Sequence, residues 1–166
     1  YALTSPCQIM IASINITSNS IKLENKFSKI INKFPRAAKK ALARAAIFGR
    51  QQIVRKTKRG EKPSGGAFAR YSEMYKKSDQ FKNKKNKFVD LFYSGQMLGD
   101  ISTRVIGRST GEIFFLRNAE AQKAFGHHTG VGRLPERPFF SIGRVDRKKM
   151  VRRFEKDFRR FSGIKR

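Results

Sequence analysis

A long stripe of apolar residues in the first third of the chain most constrains the fold. Over residues 24 to about 55, apolar side chains recur at steps of three and four, the period of one helix face. Lysines and arginines lie mostly off this stripe, so the pattern predicts a long amphipathic helix. Pro35 interrupts the run and predicts either a kink or the start of a second helix. The alanines that follow Pro35 are small enough for close packing against a sheet.

Two other regions have the patterns of strands. Residues 9–17 are rich in isoleucine, and a change of phase in their apolar positions indicates a bulge or a strand buried on both faces. Residues 101–106 alternate apolar and polar side chains, and together with residues 112–117 they predict a hairpin. We therefore expect an α+β fold: a small curved sheet, made of the N-terminal strand and the 101–117 hairpin, packed against a long helix, with a basic C-terminal helix.

The C-terminal helix is predicted over residues 146–161. Asp146 is a candidate N-cap, and the apolar stripe includes Met150, Phe154 and Phe158. Basic residues crowd the opposite face: Lys148, Lys149, Arg152, Arg153, Lys156, Arg159 and Arg160. Such a helix can bind nucleic acid or a membrane surface, and it is also a common surface helix. The absence of tryptophan and a stripe suited to a core disfavour the membrane.

Residues 56–66 and 82–87 are loops by composition, and both are strongly basic. The second, with four lysines in six residues, is expected to be exposed. A short helix is predicted over residues 67–81, and Ser94 can cap another that starts at Gly95. We expect a single domain over residues 1–166, in which residues 1–9 are an N-terminal extension.

The stretch from residue 119 to 142 combines a short helix that ends at Gly126, two histidines, a glycine-rich loop and two prolines. Pro135 and Pro138 fix φ, which predicts a stiff arm that carries Phe139 and Phe140 to a set place. Neighbouring side chains of an extended chain point to opposite sides. One phenylalanine is therefore expected in the core and the other at a subunit contact; the alternative is that both pack into their own core.

Three segments of the chain carry a resemblance to a known family. The run HHTGVGRLPERPFF at residues 127–140 resembles the H-x-x-G … P-x-R-P-F-[FL] end of bacteriophage virion-morphogenesis proteins, the tail-completion family. FARYSEMY at residues 68–75 resembles that family's Y-S-x-x-Y element. LFYSGQMLGDI at residues 91–101 resembles its L-x-x-[ST]-G-x-M-L-x-x-I element. Each motif is short, so the resemblance depends on the order and spacing of the three motifs along the chain.

The resemblance implies a structural protein of the phage neck or tail, of the tail-completion or tail-terminator kind. It implies a ring, a hexamer, between the tail tube and the head connector. The implied partners are copies of itself, neighbouring tail-tube, tail-terminator or connector proteins, and packaged DNA bound non-specifically. The implied location is the virion, and the host cytoplasm during assembly. Interface residues expected on this basis are Arg133, Pro135, Arg137, Pro138, Phe139 and Phe140, with Arg137 free to pair with a carboxylate across the contact.

The charge balance points to a polyanionic partner. The chain has 38 Lys plus Arg against 12 Asp plus Glu, a formal net charge of +26. That excess favours nucleic acid, an acidic protein surface or a membrane surface as the partner. Candidates for contact with DNA phosphates are Lys58, Arg59, Lys62, Lys82, Lys84, Lys85 and Lys87. Charge alone supports an alternative, a basic nucleic-acid-binding protein of the ribosomal or nucleoid type. No apolar run has the length of a membrane span, so no membrane partner is expected.

No motif of the chain matches a known catalytic site. The single cysteine, Cys7, excludes an internal disulfide and a cysteine-based metal site. His127 and His128 are adjacent and therefore form a poor chelating pair, and the nearby glycines lack the GK[ST] ending of a phosphate loop. We expect no enzyme, no metal and no cofactor. A nuclease is a rival that the absence of an acidic cluster disfavours.

Overall fold

The computed structural model describes residues 12–14, 32–107, 109–132 and 134–164. In chain order the elements are β1 (Ala12–Ile14), α1 (Pro35–Lys58), the one-turn helices α2 (Glu73–Lys76), α3 (Asp79–Lys82) and α4 (Gln96–Gly99), then β2 (Ile101–Ile106), β3 (Thr110–Phe115), α5 (Asn118–Thr129) and α6 (Arg144–Ser162). The predicted α+β class is confirmed, with the long helix and the C-terminal helix both present.

The strands form one antiparallel sheet in the order β1-β3-β2. Ile113 of β3 pairs with Ala12 on one side and with Thr103 on the other, which makes β3 the central strand. The predicted hairpin is confirmed, but β3 begins two residues early, since Gly107 turns the chain with φ of 60°. Of the strand predicted over residues 9–17, only 12–14 are described, and the expected extension at 1–9 lies outside the described residues.

Helix α1 starts at Pro35, where the missing N–H costs no helical hydrogen bond. Pro35 therefore begins this helix, which is one of the two outcomes expected for it. The segment predicted to be helical over residues 24–31 lies outside the described residues. At the other end α1 continues to Lys58 rather than stopping near 55, because Thr57 is buried and its hydroxyl donates to the Ile53 carbonyl at 2.7 Å.

Small residues bring α1 close to both of its neighbours. A Cβ on Gly49 would lie 3.0 Å from Ile113 Cδ1 of β3 and 2.9 Å from Met150 Cε of α6. A Cβ on Gly111 would lie 3.6 Å from Ala46 Cβ. Helix α1 is thus the middle layer between the sheet and α6, and its close packing against the sheet is what the alanines predicted. Its buried face consists of Ala37, Ala38, Ala41, Leu42, Ala45, Ala46, Gly49, Ile53 and Thr57.

Helices α1 and α6 run antiparallel along a shared seam. Phe154 and Phe158 of α6 pack against the alanines of α1, and Phe34 meets Phe158 edge to edge with ring centroids 6.3 Å apart. At the other end of the seam, Lys56 Nζ lies 2.5 Å from Asp146 Oδ2. Fully burying a phenylalanine contributes roughly 1.5–3 kcal/mol, so this seam is a substantial part of the fold.

Asp146 is not the N-cap of the last helix. Helix α6 starts at Arg144 with Gly143 as its N-cap, and Asp146 sits in the first turn, where it is buried and paired with Lys56. Gly143 is pressed against the loop after α1: a Cβ there would lie 2.0 Å from the Pro63 carbonyl oxygen. Lys56 Nζ donates to that same oxygen at 3.2 Å. The predicted loop at 56–66 therefore begins only after Lys58, and its residue Pro63 is held against the start of α6.

Three other helix boundaries differ from the prediction. The single helix expected over residues 67–81 is two short helices, because Ser72 and Ser78 each accept a backbone hydrogen bond and start a new turn. The N-cap of α4 is Gly95, although Ser94 Oγ accepts from Gln96 N–H at 3.4 Å. Helix α5 passes through Gly126 and ends at Gly130, whose φ of 73° makes it the C-cap.

Candidate interaction sites

A pocket of about 350 Å³ lies where the arm after α5 meets two segments, at 71–84 and 91–93, that are close to each other in sequence. One wall comes from the α2–α3 region with Tyr71 and Tyr75. The second comes from the segment before α4 with Phe92 and Tyr93, and the third from the end of α5 and the arm that follows. These are the three segments that carry the family resemblance, so residues separated by more than 50 positions share one site.

Aromatic rings form one side of the pocket. The Tyr71 and Tyr75 centroids are 4.8 Å apart, and Phe81 meets both rings edge to edge, 5.6 Å from Tyr71 and 5.9 Å from Tyr75. Burial, reinforced by the negative charge of Asp90, raises the pKa of Tyr71 to about 12. The Tyr71 phenol is therefore neutral at physiological pH and can donate or accept a hydrogen bond. Tyr93 stands at the mouth of the pocket with 71% of its surface exposed.

Arg137 is the buried cation of the pocket. It is only 3% exposed, and its Nε and Nη2 donate to the carbonyls of Ala69 and Arg70 at 3.0 and 3.1 Å. Its guanidinium carbon lies 5.4 Å from the centroid of the Tyr71 ring. Burial lowers the pKa of Arg137. Among the described residues no carboxylate lies within ion-pair distance of it, so its charge is balanced by dipoles and a ring alone.

The two histidines at the end of α5 border this arrangement. The His127 carbonyl accepts from the Arg137 backbone N–H at 2.8 Å, while the His127 Nδ1 atom is buried without a hydrogen-bond partner. Burial lowers the pKa of His127, and the nearby Arg137 charge lowers it further. His128 Nδ1 accepts from the Phe140 N–H at 3.3 Å, and burial lowers its pKa as well. Both rings are therefore favoured in the neutral form.

Lys84 and Asp90 form a buried ion pair at the edge of the pocket. Their side chains are 6% and 2% exposed. Asp90 also accepts from Asn86 Nδ2 at 3.2 Å and from the Phe92 N–H at 3.1 Å. The expectation of an exposed lysine loop is wrong at Lys84, which is consequently removed from the residues that could face DNA. A lone acid between Val89 and Leu91 is the signal that could have revealed the pair, because an acid in an apolar run needs a buried partner.

The prediction that one of Phe139 and Phe140 lies in the core and the other at a subunit contact is wrong. Both are buried, at 1% and 4% exposure, and both belong to the larger core cluster. Phe140 packs on Phe115 of β3 with centroids 4.8 Å apart, while Phe139 lies 6.2 Å from His128 of α5. Each side of the extended arm is thus covered by the chain itself, and neither ring is left for a neighbouring subunit.

The remaining interface candidates are placed differently from one another. Pro135 and Pro138 are half-buried, and Pro135 lines the pocket. Arg133 lies outside the described residues. Arg137, as described, is turned inward rather than toward a neighbouring subunit. The arm is therefore a core element whose outer edge, including the exposed Leu134, borders the pocket.

The other candidate DNA contacts remain at or near the surface. Lys85, Arg59, Lys58, Lys82 and Lys87 are exposed, and Lys62 is half-buried. Several of them are engaged locally. Lys58 Nζ lies 4.7 Å from the Phe92 ring centroid, and Lys82 pairs with Asp79 at 3.0 Å. Lys87 donates to the Phe81 and Lys82 carbonyls at 3.0 and 2.9 Å, so three of these six cations have local partners.

A continuous run of exposed basic residues lies on α6, together with the adjoining side of α1. All nine basic residues of α6 are exposed: Arg144, Arg147, Lys148, Lys149, Arg152, Arg153, Lys156, Arg159 and Arg160. Two of the three acids of α6, Asp146 and Asp157, are buried, and Asp157 lies 3.4 Å from Arg44 and 3.5 Å from Arg153. Lys40 and Arg44 of α1 lie over the Phe161 ring of α6. We call this surface the α1–α6 basic face.

Within the described ranges, no group of three or more His, Cys, Asp or Glu is placed to hold a metal ion. None of the helices in the described part of the chain is both long enough and apolar enough to cross a membrane. Comparison of the chain with protein-family models, with curated proteins and with solved structures finds no match.

Proposed function

We propose that this protein is a structural component of a bacteriophage neck or tail, a tail-completion or tail-terminator protein that forms a ring between the tail tube and the head connector. One observation carries the proposal. The segments at 71–75, 91–93 and 127–137, which resemble that family in sequence, line a single pocket. The pocket thus brings together residues of all three motifs, of which Tyr71 and Arg137 lie 66 positions apart in the chain.

The burial of the arm also limits which residues can form the contact between subunits of such a ring. Head-to-tail contacts close into rings when the rotation between subunits is right. Because Phe139 and Phe140 are already buried, the subunit contact needs other apolar groups. Tyr93, Leu134 and Phe92 are exposed around the pocket mouth and supply them. The α1–α6 basic face then remains for phosphates of DNA in the channel, or for an acidic neighbouring ring.

Light scattering and electron microscopy of the purified protein, alone and within assembled particles, test the proposal. A ring of six copies is the expected result. The substitution Tyr93→Ala, at the exposed mouth, should reduce ring formation while the subunit remains folded. A matched control is Met74→Ala, since Met74 is 83% exposed and does not line the pocket. A protein that stays monomeric inside assembled particles contradicts the proposal.

A second candidate function has its own observation. The nine exposed cations of α6 suit a basic nucleic-acid-binding protein of the ribosomal or nucleoid type. Such a protein would bind DNA or RNA as a monomer, with an affinity that falls steeply as salt rises. Gel filtration with and without DNA separates the two candidates. A ring in the absence of DNA favours the virion protein, and a monomer that elutes with DNA favours the alternative.

A further inference from the structure

We infer that the pocket at Tyr71, Tyr75 and Arg137 binds a carboxylate presented by a peptide segment of another protein. The inference uses the same exposed rim as the proposed ring contact, and peptide binding tests it separately from ring formation. It rests on a buried cation, an unpartnered buried nitrogen and an apolar rim that occur together in one concave site.

The first step is the charge of Arg137. A guanidinium has five N–H groups, and the carbonyls of Ala69 and Arg70 use two of them. Carbonyl dipoles and the Tyr71 ring reduce the cost of burying the charge, but no carboxylate of the described chain neutralises it. Buried charges in proteins are normally paired. A single anionic group in the adjoining pocket would complete the pairing.

The second step is the polar group beside it. His127 lines the pocket, and its Nδ1 atom is buried with no partner. Buried polar atoms without a partner are rare and need an explanation. The Lys84–Asp90 pair at the same edge is internally neutral, so it adds no net charge to the site. The pocket thus offers one uncompensated positive charge, which suits a monoanionic carboxylate better than a phosphate dianion.

The third step concerns what carries the carboxylate. The mouth of the pocket is lined by large side chains that remain exposed, Tyr93 at 71%, Leu134 at 43% and Phe92 at 38%. Large aromatic and aliphatic side chains that remain exposed together on one surface are a mark of protein-binding sites. The net charge of +26 favours an acidic partner segment. An apolar residue on each side of a Glu or Asp would cover this rim.

A pair of peptides tests the inference directly. The probes are acetyl-Leu-Glu-Phe-Leu-amide and its Gln counterpart, titrated at physiological salt and followed by calorimetry and by NMR. The Glu peptide should bind at least tenfold more tightly than the Gln peptide. In the wild-type protein, the bound carboxylate should raise the lowered pKa of His127, and the Gln peptide should not. Equal binding of the two peptides, or no binding of either, overturns the inference.

Variants separate the pocket from general charge attraction. Arg137→Gln should remove the preference for Glu over Gln, and Lys149→Gln, which removes one exposed charge on α6, should leave it intact. Loss of the preference in both variants overturns the inference. If Arg137→Gln does not fold, the pKa of His127 in the wild-type protein, measured with the Glu and the Gln peptide, still tests the inference. Tyr93→Ala should weaken both peptides at least threefold while the fold persists, and unchanged binding places the peptide elsewhere.

Two smaller probes distinguish the source and the chemistry of the anion. The first is 3-phenylpropionate, a carboxylate with an aromatic arm but no peptide, and it should bind at least tenfold more weakly than the Glu peptide. Binding as tight as that of the peptide would assign the pocket to free acids instead. The second is inorganic phosphate, which should not displace the Glu peptide more than chloride does at equal ionic strength. Specific displacement by phosphate overturns the assignment to a carboxylate.

Discussion

Around the pocket, Lys84 and Arg137 are almost fully buried, whereas the nine basic residues of α6 are exposed along the whole helix. Each buried cation has partners of its own: Asp90 for Lys84, two carbonyls and the Tyr71 ring for Arg137. The α6 cations differ, because most of them face solvent, where an ion pair is worth little.

This difference separates two uses of the same residue types. A buried cation depends on its own particular partners, because removing it from water costs several kcal/mol that only those partners offset. Exposed cations act together, because their total number sets the affinity for a polyanion and the dependence of that affinity on salt. Single substitutions should therefore be severe near the pocket and mild on α6, where several must be combined to have an effect.

The largest effects are expected at two kinds of buried group, and the first is the Lys84–Asp90 pair, which Asp90→Ala would break. It would leave the ammonium of Lys84 buried without a counter-ion and remove the acceptor of the Phe92 N–H and the Asn86 side chain. Breaking a buried pair in this way costs about 3–5 kcal/mol in the free energy of unfolding. Urea denaturation measures the loss. The control is Asp79→Ala, which breaks the exposed pair with Lys82 and should cost no more than about 1 kcal/mol. Equal losses in the free energy of unfolding from the two variants would contradict the difference between buried and exposed ion pairs.

The core position of the arm makes a second prediction. Phe139→Ala and Phe140→Ala should each lower the free energy of unfolding by about 3–5 kcal/mol, since both rings are buried against β3 or α5. Thermal and urea unfolding measure both. Val131→Ala, in the same segment but 55% exposed, is the control and should change stability by less than about 0.5 kcal/mol. A stable Phe139→Ala protein that fails only in assembly would restore the subunit-contact role.

On the α1–α6 basic face the effect should be on binding rather than stability. Replacing Lys148, Arg152, Lys156 and Arg159 together with Gln removes four exposed charges. The slope of log affinity for duplex DNA against log salt should become shallower by up to about 3.6, since each phosphate contact contributes about 0.9. Stability should change little.

The loop variant replaces Lys82, Lys85 and Lys87, leaving out the buried Lys84, and the two changes in slope are compared per charge removed. Because Lys82 and Lys87 are engaged within their own loop, this variant should change the salt slope less than the α6 variant does. Fluorescence anisotropy at several salt concentrations measures both slopes. A larger loss from the loop variant would show that phosphates are met at 82–87 and not at α6.

The smallest effect is a dependence of stability on pH. Burial holds the pKa values of His127 and His128 below the usual 6.5, so the unfolded chain binds more protons as the solution becomes acidic. Their stabilising contribution is therefore complete above pH 6.5 and is lost as pH falls toward the folded-state values. Each histidine contributes at most about 1.4 kcal/mol per pH unit within that window.

Urea unfolding at pH 7.5 and pH 5.5 measures this dependence. The double variant His127→Gln/His128→Gln should flatten the change between the two pH values, even if it is less stable at both. As a control, Asp79→Ala should retain the wild-type dependence, because Asp79 is exposed and distant from the histidines in sequence. An unchanged slope in the double variant would mean that other groups cause the acid sensitivity.

The sequence by itself determined the elements whose patterns are local. The apolar stripe of α1, the alternation in the hairpin of β2 and β3, and the stripe of α6 each repeat within a few residues, whereas the sequence left either a kink or a helix start open at Pro35. A helix or strand must bury one face, so the spacing of apolar residues within the segment itself indicates which of the two it forms. The α+β class and the basic surface of α6 follow from those patterns and the charge balance.

Only the tertiary structure decided which side chains are inside. Phe139 and Phe140 both face the core because the fold covers both sides of an extended arm, with Phe115 on one side and His128 on the other. Arg137 points inward because its acceptors, the carbonyls of Ala69 and Arg70, come from almost 70 positions earlier in the chain. Lys84 looks like its neighbours in a lysine-rich run, yet the aspartate six residues later buries it. Burial depends on what distant segments bring to a position, and that information is not contained in any local period.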